Sequence, residues 1–250
     1  RQKGLRADIE LFPQGVFDAA MPDTRPTARI RLSPDGRQAY VAYLKGGTVT
    51  VIDTASRQQV ASIPVGRGPA QVGFTGDGRL AFVSLSQEDR VAVIDPKTHE
   101  VVRKVPVGDG PIQLFATPDS QRLLVANQGS RKNPGRTVSV IDLTSFKVTA
   151  SIRTGRGAHG VVVDADGRQA YVSNLYDNTV TVISKHLEMG QGSYTGLATL
   201  VAEELDADWS TVRVEQAPVD QAFANPMFGM QATGGSTTVR AHWEPLRKAG

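Results

Sequence analysis

The chain has 250 residues, long enough for one large or two small domains with a real core. Its 40% hydrophobic and 21% charged content is that of an ordinary globular protein, and no apolar run approaches the ~20 residues of a membrane-spanning helix. A net charge of +3 spread along the chain argues against a nucleic-acid partner, and the absence of cysteine excludes disulfides, thiolate metal sites and iron–sulfur clusters within this sequence.

Residues 1–27 begin at Arg1 without Met or a signal-peptide core, so any targeting signal is expected to have been removed or never present. Subtracting 42 from Val51–Asp53 lands on Ile9–Leu11 within "ADIELF", which makes residues 1–27 a degenerate outer half-blade.

From residue 28 the sequence repeats. "SPDGRQAYVAYLKGGTVTVIDTASRQQVASIPVGRGP" aligns with "TGDGRLAFVSLSQEDRVAVIDPKTHEVVRKVPVGDGP" at an offset of 42, carrying Asp35-Gly36 onto Asp77-Gly78 and Ile52-Asp53 onto Ile94-Asp95. A third copy carries Val140-Ile141-Asp142 at a step of 47, lengthened by the insertion "NQGSRKNPGRT". A fourth reaches "YVSN" at Tyr171–Asn174 and "TVTVIS" before stopping. The units are 28–69, 70–111, 112–158 and an incomplete 159–184. Each reads as four short strands: Asp-Gly as a two-residue hairpin turn, then alternating segments rich in β-branched and aromatic residues. A period of 40 to 45 residues with four strands is the arithmetic of a β-propeller blade. The fold class is therefore mainly β, a partial or small propeller of about four blades of four-stranded antiparallel sheet. Whether the first and last units close a ring or form an arc of a larger one stays open at this point.

After Ser184 the vocabulary changes with no Pro/Gly/Ser-rich spacer, so the fourth unit is expected to lack its outer strand. Leu197, Leu200, Val201 and Leu205 share one face at helical spacing, and Val212 and Val214 mark a short strand. Residues 185–250 thus form a small α+β appendage, with Trp209 and Trp243 as its core anchors.

Among candidate functional residues, Asp53, Asp95 and Asp142 follow a V-I pair and read as turn caps rather than metal ligands. The "VGRGP" and "VGDGP" glycines recur at blade spacing and read as turns rather than nucleotide loops. The four histidines, His99, His159, His186 and His242, show no metal-ligand spacing. His159 stands at the mouth of a unit where Ala70 and Ile112 hold the matching places, and the insertion brings Arg131, Lys132 and Arg136. These four are the candidate contacts for an unknown protein or small ligand on the repeat face.

Two resemblances rest on these residues. The repeat resembles the YVTN family of β-propellers over roughly residues 28–184, through "YVSN" and its variants "YVAY", "FVSL" and "LVAN". That likeness implies a scaffold that binds ligands or partners, in the periplasm or cell envelope. "EMGQG", "LVAEELDADWSTVRVEQAPVD" and "NPMFGMQATGGSTTVRAHWEPLRKAG" resemble the molybdenum-binding large subunit of the xanthine dehydrogenase superfamily, in its isoquinoline 1-oxidoreductase and aldehyde dehydrogenase branch. This second likeness implies hydroxylation of aldehydes or N-heterocycles with a molybdopterin cofactor, in its cytosine dinucleotide form, and an iron–sulfur partner subunit. By the same resemblance Gln191, between Gly190 and Gly192, stands beside the metal, and Gly234, Gly235, Ser236 and Thr237 hold the pterin and its phosphates. The family's catalytic glutamate motif and arginine loop have no counterpart in these 250 residues, so the chain is expected not to complete that reaction alone.

Overall fold

The structure is a computed structural model and describes residues 28–165, 167, 169–184, 198, 199, 202 and 209–216. The expected half-blade at 1–27 lies outside them.

Among the described residues, sixteen strands form four sheets of four. The first holds β1 (Ala28–Leu32), β2 (Gln38–Tyr43), β3 (Thr48–Asp53) and β4 (Gln59–Pro64) in sequential order. The second holds β5 (Pro69–Phe74), β6 (Ala81–Leu85), β7 (Arg90–Asp95) and β8 (Glu100–Pro106). The third holds β9 (Pro111–Ala116), β10 (Arg122–Gly129), β11 (Pro134–Asp142) and β12 (Lys147–Arg153). The fourth holds β13 (Ala158–Val163), β14 (Gln169–Asn174), β15 (Thr179–Ser184) and β16 (Val212–Gln216).

The sheets pack face to face, and this explains why the middle strands read as apolar runs rather than as simple alternation. Successive side chains serve different interfaces. Ala81, Val83 and Leu85 of β6 join Tyr40, Val49, Val51 and Ile63 of the first sheet, whereas Phe82 between them joins Leu114, Leu123 and Ile141 of the third. Leu124, Val138 and Ile152 meet Val161, Val172 and Ile183 in the same way. Each buried Val, Leu or Ile contributes roughly 1.5–3 kcal/mol to this stacking. In the first three sheets the fourth strand faces solvent and keeps one matched apolar residue inside: Ile63, Val105 and Ile152.

The first strands pack on one another in series, β1 on β5, β5 on β9 and β9 on β13. Two glutamines fasten this series. Leu114 N–H donates to Gln71 Oε1 at 3.0 Å, and Val161 N–H donates to Gln113 Oε1 at 2.8 Å. Gln71 and Gln113 are matched positions, so the same amide reaches across the same interface in successive units.

Three expectations are corrected. Asp35-Gly36 is not a two-residue hairpin turn. Gly36, at φ 71°, donates its N–H to Ser33 O, and Ser33 N–H donates to Gln38 O, making a five-residue link. Asp35 stays outside the left-handed region and uses its carboxylate, which accepts from Ser33 Oγ at 2.6 Å and Arg37 N at 3.1 Å. The fourth sheet does not lack an outer strand. β16 pairs parallel to β15, with Val180 opposite Val212 and Ser184 opposite Gln216. The edge of β15 carries unpaired N–H and C=O groups that need a partner. Parallel pairing requires the chain between the two strands to return to the end at which β15 begins. Ala198, Thr199 and Ala202 are helical, with Ala198 and Ala202 buried one turn apart. Leu197, Leu200, Val201, Leu205 and Trp243 lie outside the described residues. Trp209 opens a 3₁₀ turn, Trp209–Thr211, and is 48% exposed, so it is not a core anchor.

Candidate functional site

The starts of β1, β5, β9 and β13 define one mouth of the assembly, and the turn between β10 and β11 lies at the same end because Asn127 pairs with Pro111. His159 and the insertion, far apart in sequence, are thereby brought together. His159 is the second residue of β13. Its Nδ1–H donates to Gln128 Oε1 at 3.0 Å, and Gln128 Nε2 donates to the Tyr176 hydroxyl at 3.1 Å. That arrangement leaves His159 Nε2 as an acceptor. Partial burial, and then the Arg29 guanidinium, hold the imidazole below its ordinary pKa, so the neutral ring is favoured.

The insertion is not a free loop. It lengthens the β10–β11 hairpin, with Gly129 opposite Pro134 and a tight turn in which Ser130 N–H donates to Asn133 O at 2.9 Å. Arg131 and Lys132 are exposed on that turn, while Arg136 is exposed on β11 itself. The hairpin leans over the link into β13: Thr154 N–H donates to Arg136 O and Gly157 N–H to Gly135 O. The acids near this mouth are engaged. Glu88 accepts from Arg67 N and Lys104, Asp89 from Gly110 N, and Asp177 from the Arg156 backbone and guanidinium. The exposed charges left at this end include Arg131, Lys132 and Arg136 together with Asp109, whose carbonyl accepts from Gly129 N.

The glycine turns have no free N–H cradle to offer a phosphate. Gly155 N–H faces Thr181 Oγ1, Arg156 N–H donates to Asp177 and Gly157 N–H to Gly135 O; in the second unit's turn Gly108 N–H faces Ser139 Oγ and Gly110 N–H reaches Asp89. Their role is turn and packing, as expected. A Cβ on Gly108 would stand 2.6 Å from Asn127 Nδ2, and one on Gly155 would stand 2.8 Å from Asn174 Cγ. The two asparagines end the "LVAN" and "YVSN" motifs. Each is buried, and each donates from Nδ2 to two hydroxyls, Thr137 and Ser139 for Asn127, Thr179 and Thr181 for Asn174.

Asp53, Asp95 and Asp142 are turn caps. Asp53 accepts from Ser56 N at 2.7 Å and Oγ at 2.8 Å, Asp142 from Ser145 N and Oγ at 2.7 Å, and Asp95 from Lys97 N at 2.8 Å. The serine backbone and hydroxyl donors hold the Asp53 and Asp142 carboxyls below the usual range. Among the described residues no group of three His, Asp or Glu is placed to hold a metal, and no helix is long and apolar enough to cross a membrane. Gly190, Gln191, Gly192, Gly234, Gly235, Ser236 and Thr237 lie outside the described residues.

Sequence reasoning missed a cavity of about 190 Å³ shared by the first strands, lined by Arg31, Gln71, Phe74, Gln113, Phe115 and Val161 among others. The signal was present in the alignment: Arg29, Gln71, Gln113 and Gly160 are matched positions, as are Arg31, Gly73, Phe115 and Val162, and they vary where the core positions do not.

Comparison with known proteins bears on the second half of the chain. Residues 135–250 match the molybdopterin cofactor-binding domain. The match begins inside β11, upstream of the change in vocabulary at Ser184, and so includes strands of the third and fourth sheets. The isoquinoline 1-oxidoreductase subunit beta of Brevundimonas diminuta is 45% identical over 76 residues, 30% of this chain and 10% of that protein. The membrane-bound aldehyde dehydrogenase (pyrroloquinoline-quinone) of Gluconacetobacter polyoxogenes is 40% identical over 74 residues, 30% of this chain and 9% of that protein. The chain thus matches about a tenth of the length of these curated relatives. Among solved structures, the hydrazine synthase of Kuenenia stuttgartiensis superposes with a TM-score of 0.59 at 25% identity, over 62% of this chain and 45% of that one. Dihydro-heme d1 dehydrogenase, solved with DHE, superposes with a TM-score of 0.52 at 20% identity, over 63% of this chain and 35% of that one.

Proposed function

We propose that the chain joins a YVTN-like β-propeller scaffold to a molybdopterin-binding segment from the lineage of oxidoreductases that hydroxylate aldehydes or N-heterocycles. The observation that carries the reading is the match of residues 135–250 to the molybdopterin cofactor-binding domain. Four stacked four-stranded sheets whose first strands share one cavity support the propeller.

The described part of the matched stretch does not itself fit the cofactor. Its glycine turn has engaged N–H groups, and it carries no thiolate or carboxylate cluster. In this reading the group is held instead by residues further along the chain. Gly190, Gln191 and Gly192 stand at the metal end, where the Gln191 amide orients a polar ligand without adding charge. Gly234, Gly235, Ser236 and Thr237 hold the pterin and phosphates, because a glycine turn opening a helix presents free N–H groups to an anion. When bound, the cofactor supplies a two-electron redox centre for hydroxylation by water; its cytosine dinucleotide form is part of the proposal. The chain works with further protein, including an iron–sulfur subunit that removes electrons, in the periplasm or cell envelope.

The test is molybdenum and pterin content per chain, on monodisperse protein made in a host that synthesises the cofactor. Near-stoichiometric metal that is lost in Gln191→Ala is the expected result. Folded protein without metal refutes the cofactor reading.

A second reading is favoured by the mouth around His159, with Arg131 and Lys132 exposed on the hairpin beside it: a non-catalytic propeller module that binds a protein or small ligand, with no nucleic-acid partner. The C-terminal segment is then a passenger, joined to the scaffold through β16. This reading expects saturable binding that weakens in His159→Ala or in Arg131→Gln/Lys132→Gln.

A further inference from the structure

We propose that the cavity between the first strands is a binding site for a small carboxylate with an apolar body. The argument starts from its donor inventory. Gln71 and Gln113 each fix their amide oxygen on the backbone N–H of the next sheet. Their Nε2 groups are therefore oriented by the fold, and neither has an acceptor among the described residues. Arg31 enters from β1 and lines the same cavity. It is exposed and has no hydrogen bond or ion pair among the described residues, and no Asp or Glu is among the lining residues. The polar side chains facing the space are thus a guanidinium and two amides with oxygens already engaged. They donate and have no counter-anion.

The other side chains lining the space are apolar. Phe74, Phe115 and Val161 contribute to it, and Phe74 is held edge-on to Tyr40 with ring centroids 5.0 Å apart. A planar guanidinium matches a carboxylate with two parallel hydrogen bonds. Aromatic and aliphatic walls favour an apolar body attached to it. A volume of about 190 Å³ is below the usual range for drug-sized ligands, which limits the ligand to a small one.

Matched positions make the site specific to this assembly rather than generic to the repeat. Arg31 corresponds to Gly73, Phe115 and Val162, so one unit supplies the cation, one the aromatic wall and one an opening. Nearby, Arg29 stands where Gln71, Gln113 and Gly160 stand in the other units. The site exists only when the first strands of different units come together.

The test uses the full chain, ¹⁵N-labelled, titrated with benzoate, acetate, inorganic phosphate and benzylammonium while backbone amide shifts are followed. Benzoate is expected to shift the amides of 71–74 and 113–116 saturably, with an affinity near the millimolar range set by its size. Benzylammonium is expected to leave them unmoved. Arg31→Gln weakens benzoate about tenfold or more, Arg31→Lys has a smaller effect, and Arg131→Gln, on the outer turn, has none. Well-dispersed spectra for both Arg31 variants establish that each is folded.

Three results overturn the proposal. One is the absence of a saturable benzoate shift up to about 10 mM. A second is benzoate binding unaffected by Arg31→Gln. The third is binding by acetate and phosphate as tight as by benzoate, which reduces the site to a surface guanidinium meeting any anion.

Discussion

Replacing Asn127 by Leu tests whether the motif asparagine is a structural bridge. Asn127 is fully buried and donates to Thr137 Oγ1 at 3.0 Å and Ser139 Oγ at 2.9 Å. Losing both bonds costs about 2 kcal/mol net, and leaving the 3%-exposed Ser139 hydroxyl without its amide partner adds about 1 kcal/mol or more. The second unit shows the compensated alternative. There Leu85 holds the place of Asn127 and Ala92 the place of Ser139, both fully buried. Asn127→Leu alone is therefore expected to lose about 3 kcal/mol, and Asn127→Leu/Ser139→Ala to recover about 1–2 kcal/mol of that, a non-additivity typical of groups sharing one network. Urea unfolding followed by far-UV circular dichroism on the four proteins of the cycle reads both numbers. A double variant that loses the sum of the two single losses would falsify the bridge, and an Asn127→Leu protein as stable as the parent would do so more directly.

Adjacent strand residues direct their N–H groups to opposite sides, so of Arg213→Pro and Val214→Pro one removes a donor from the β15–β16 ladder and the other does not. Hydrogen exchange at 179–184 is expected to accelerate in only one of the two, and equal silence in both denies the parallel pairing. Ser120 sits at φ 57° where matched turns carry Gly36, Gly78 and Gly167 at 71°, 70° and 66°. Ser120→Gly is expected to gain about 0.5–1 kcal/mol, the relief of the left-handed strain less the entropy that glycine loses on folding, and a loss in urea unfolding contradicts the strain. The folded-state pKa of His159 lies below 6.5, so the unfolded chain binds its proton more readily. Its contribution to stability is complete above pH 6.5 and is lost as pH falls through the window between 6.5 and the folded value. His159→Gln is expected to flatten stability in that window, and an unchanged pH profile rules out the depressed imidazole.

The repeat was legible because one unit's strands are neighbours in sequence and the core positions recur at fixed offsets. Ile63, Val105 and Ile152 mark that periodicity even on exposed strands. The true form of the Asp35-Gly36 turn was not legible, because the Asp carboxylate bonded to Ser33 and Arg37 competes with the backbone conformation that the dipeptide suggests. β16 was legible as a strand from Val212 and Val214, but not its partner. Parallel pairing depends on the open edge of β15 and on the crossover between them, neither of which is written in five residues. The insertion was legible as added length but not as a longer β10–β11 hairpin, because Gly129, Asn133 and Pro134 are turn residues, although their turn closes a ladder that runs on to Pro134.

Positions that vary among matched units are more informative about function than those that repeat. The paired glycines and the buried residues of the middle strands recur because turns and packing require them, so they report the fold. Arg29, Gln71, Gln113 and Gly160 occupy one place in four units and carry three different local duties. Gln71 and Gln113 tie sheets together. Gly160 instead leaves room beside Gln113, whose amide oxygen would lie 3.2 Å from a Cβ placed there. Arg29 brings charge to the His159 mouth. A scaffold under selection only for stacking has no use for an arginine at a position where a bridging amide serves its neighbours. The two arginines of β1 therefore favour the first strands as the place of the proposed ligand chemistry, beside whatever the segment that matches the molybdopterin cofactor-binding domain contributes.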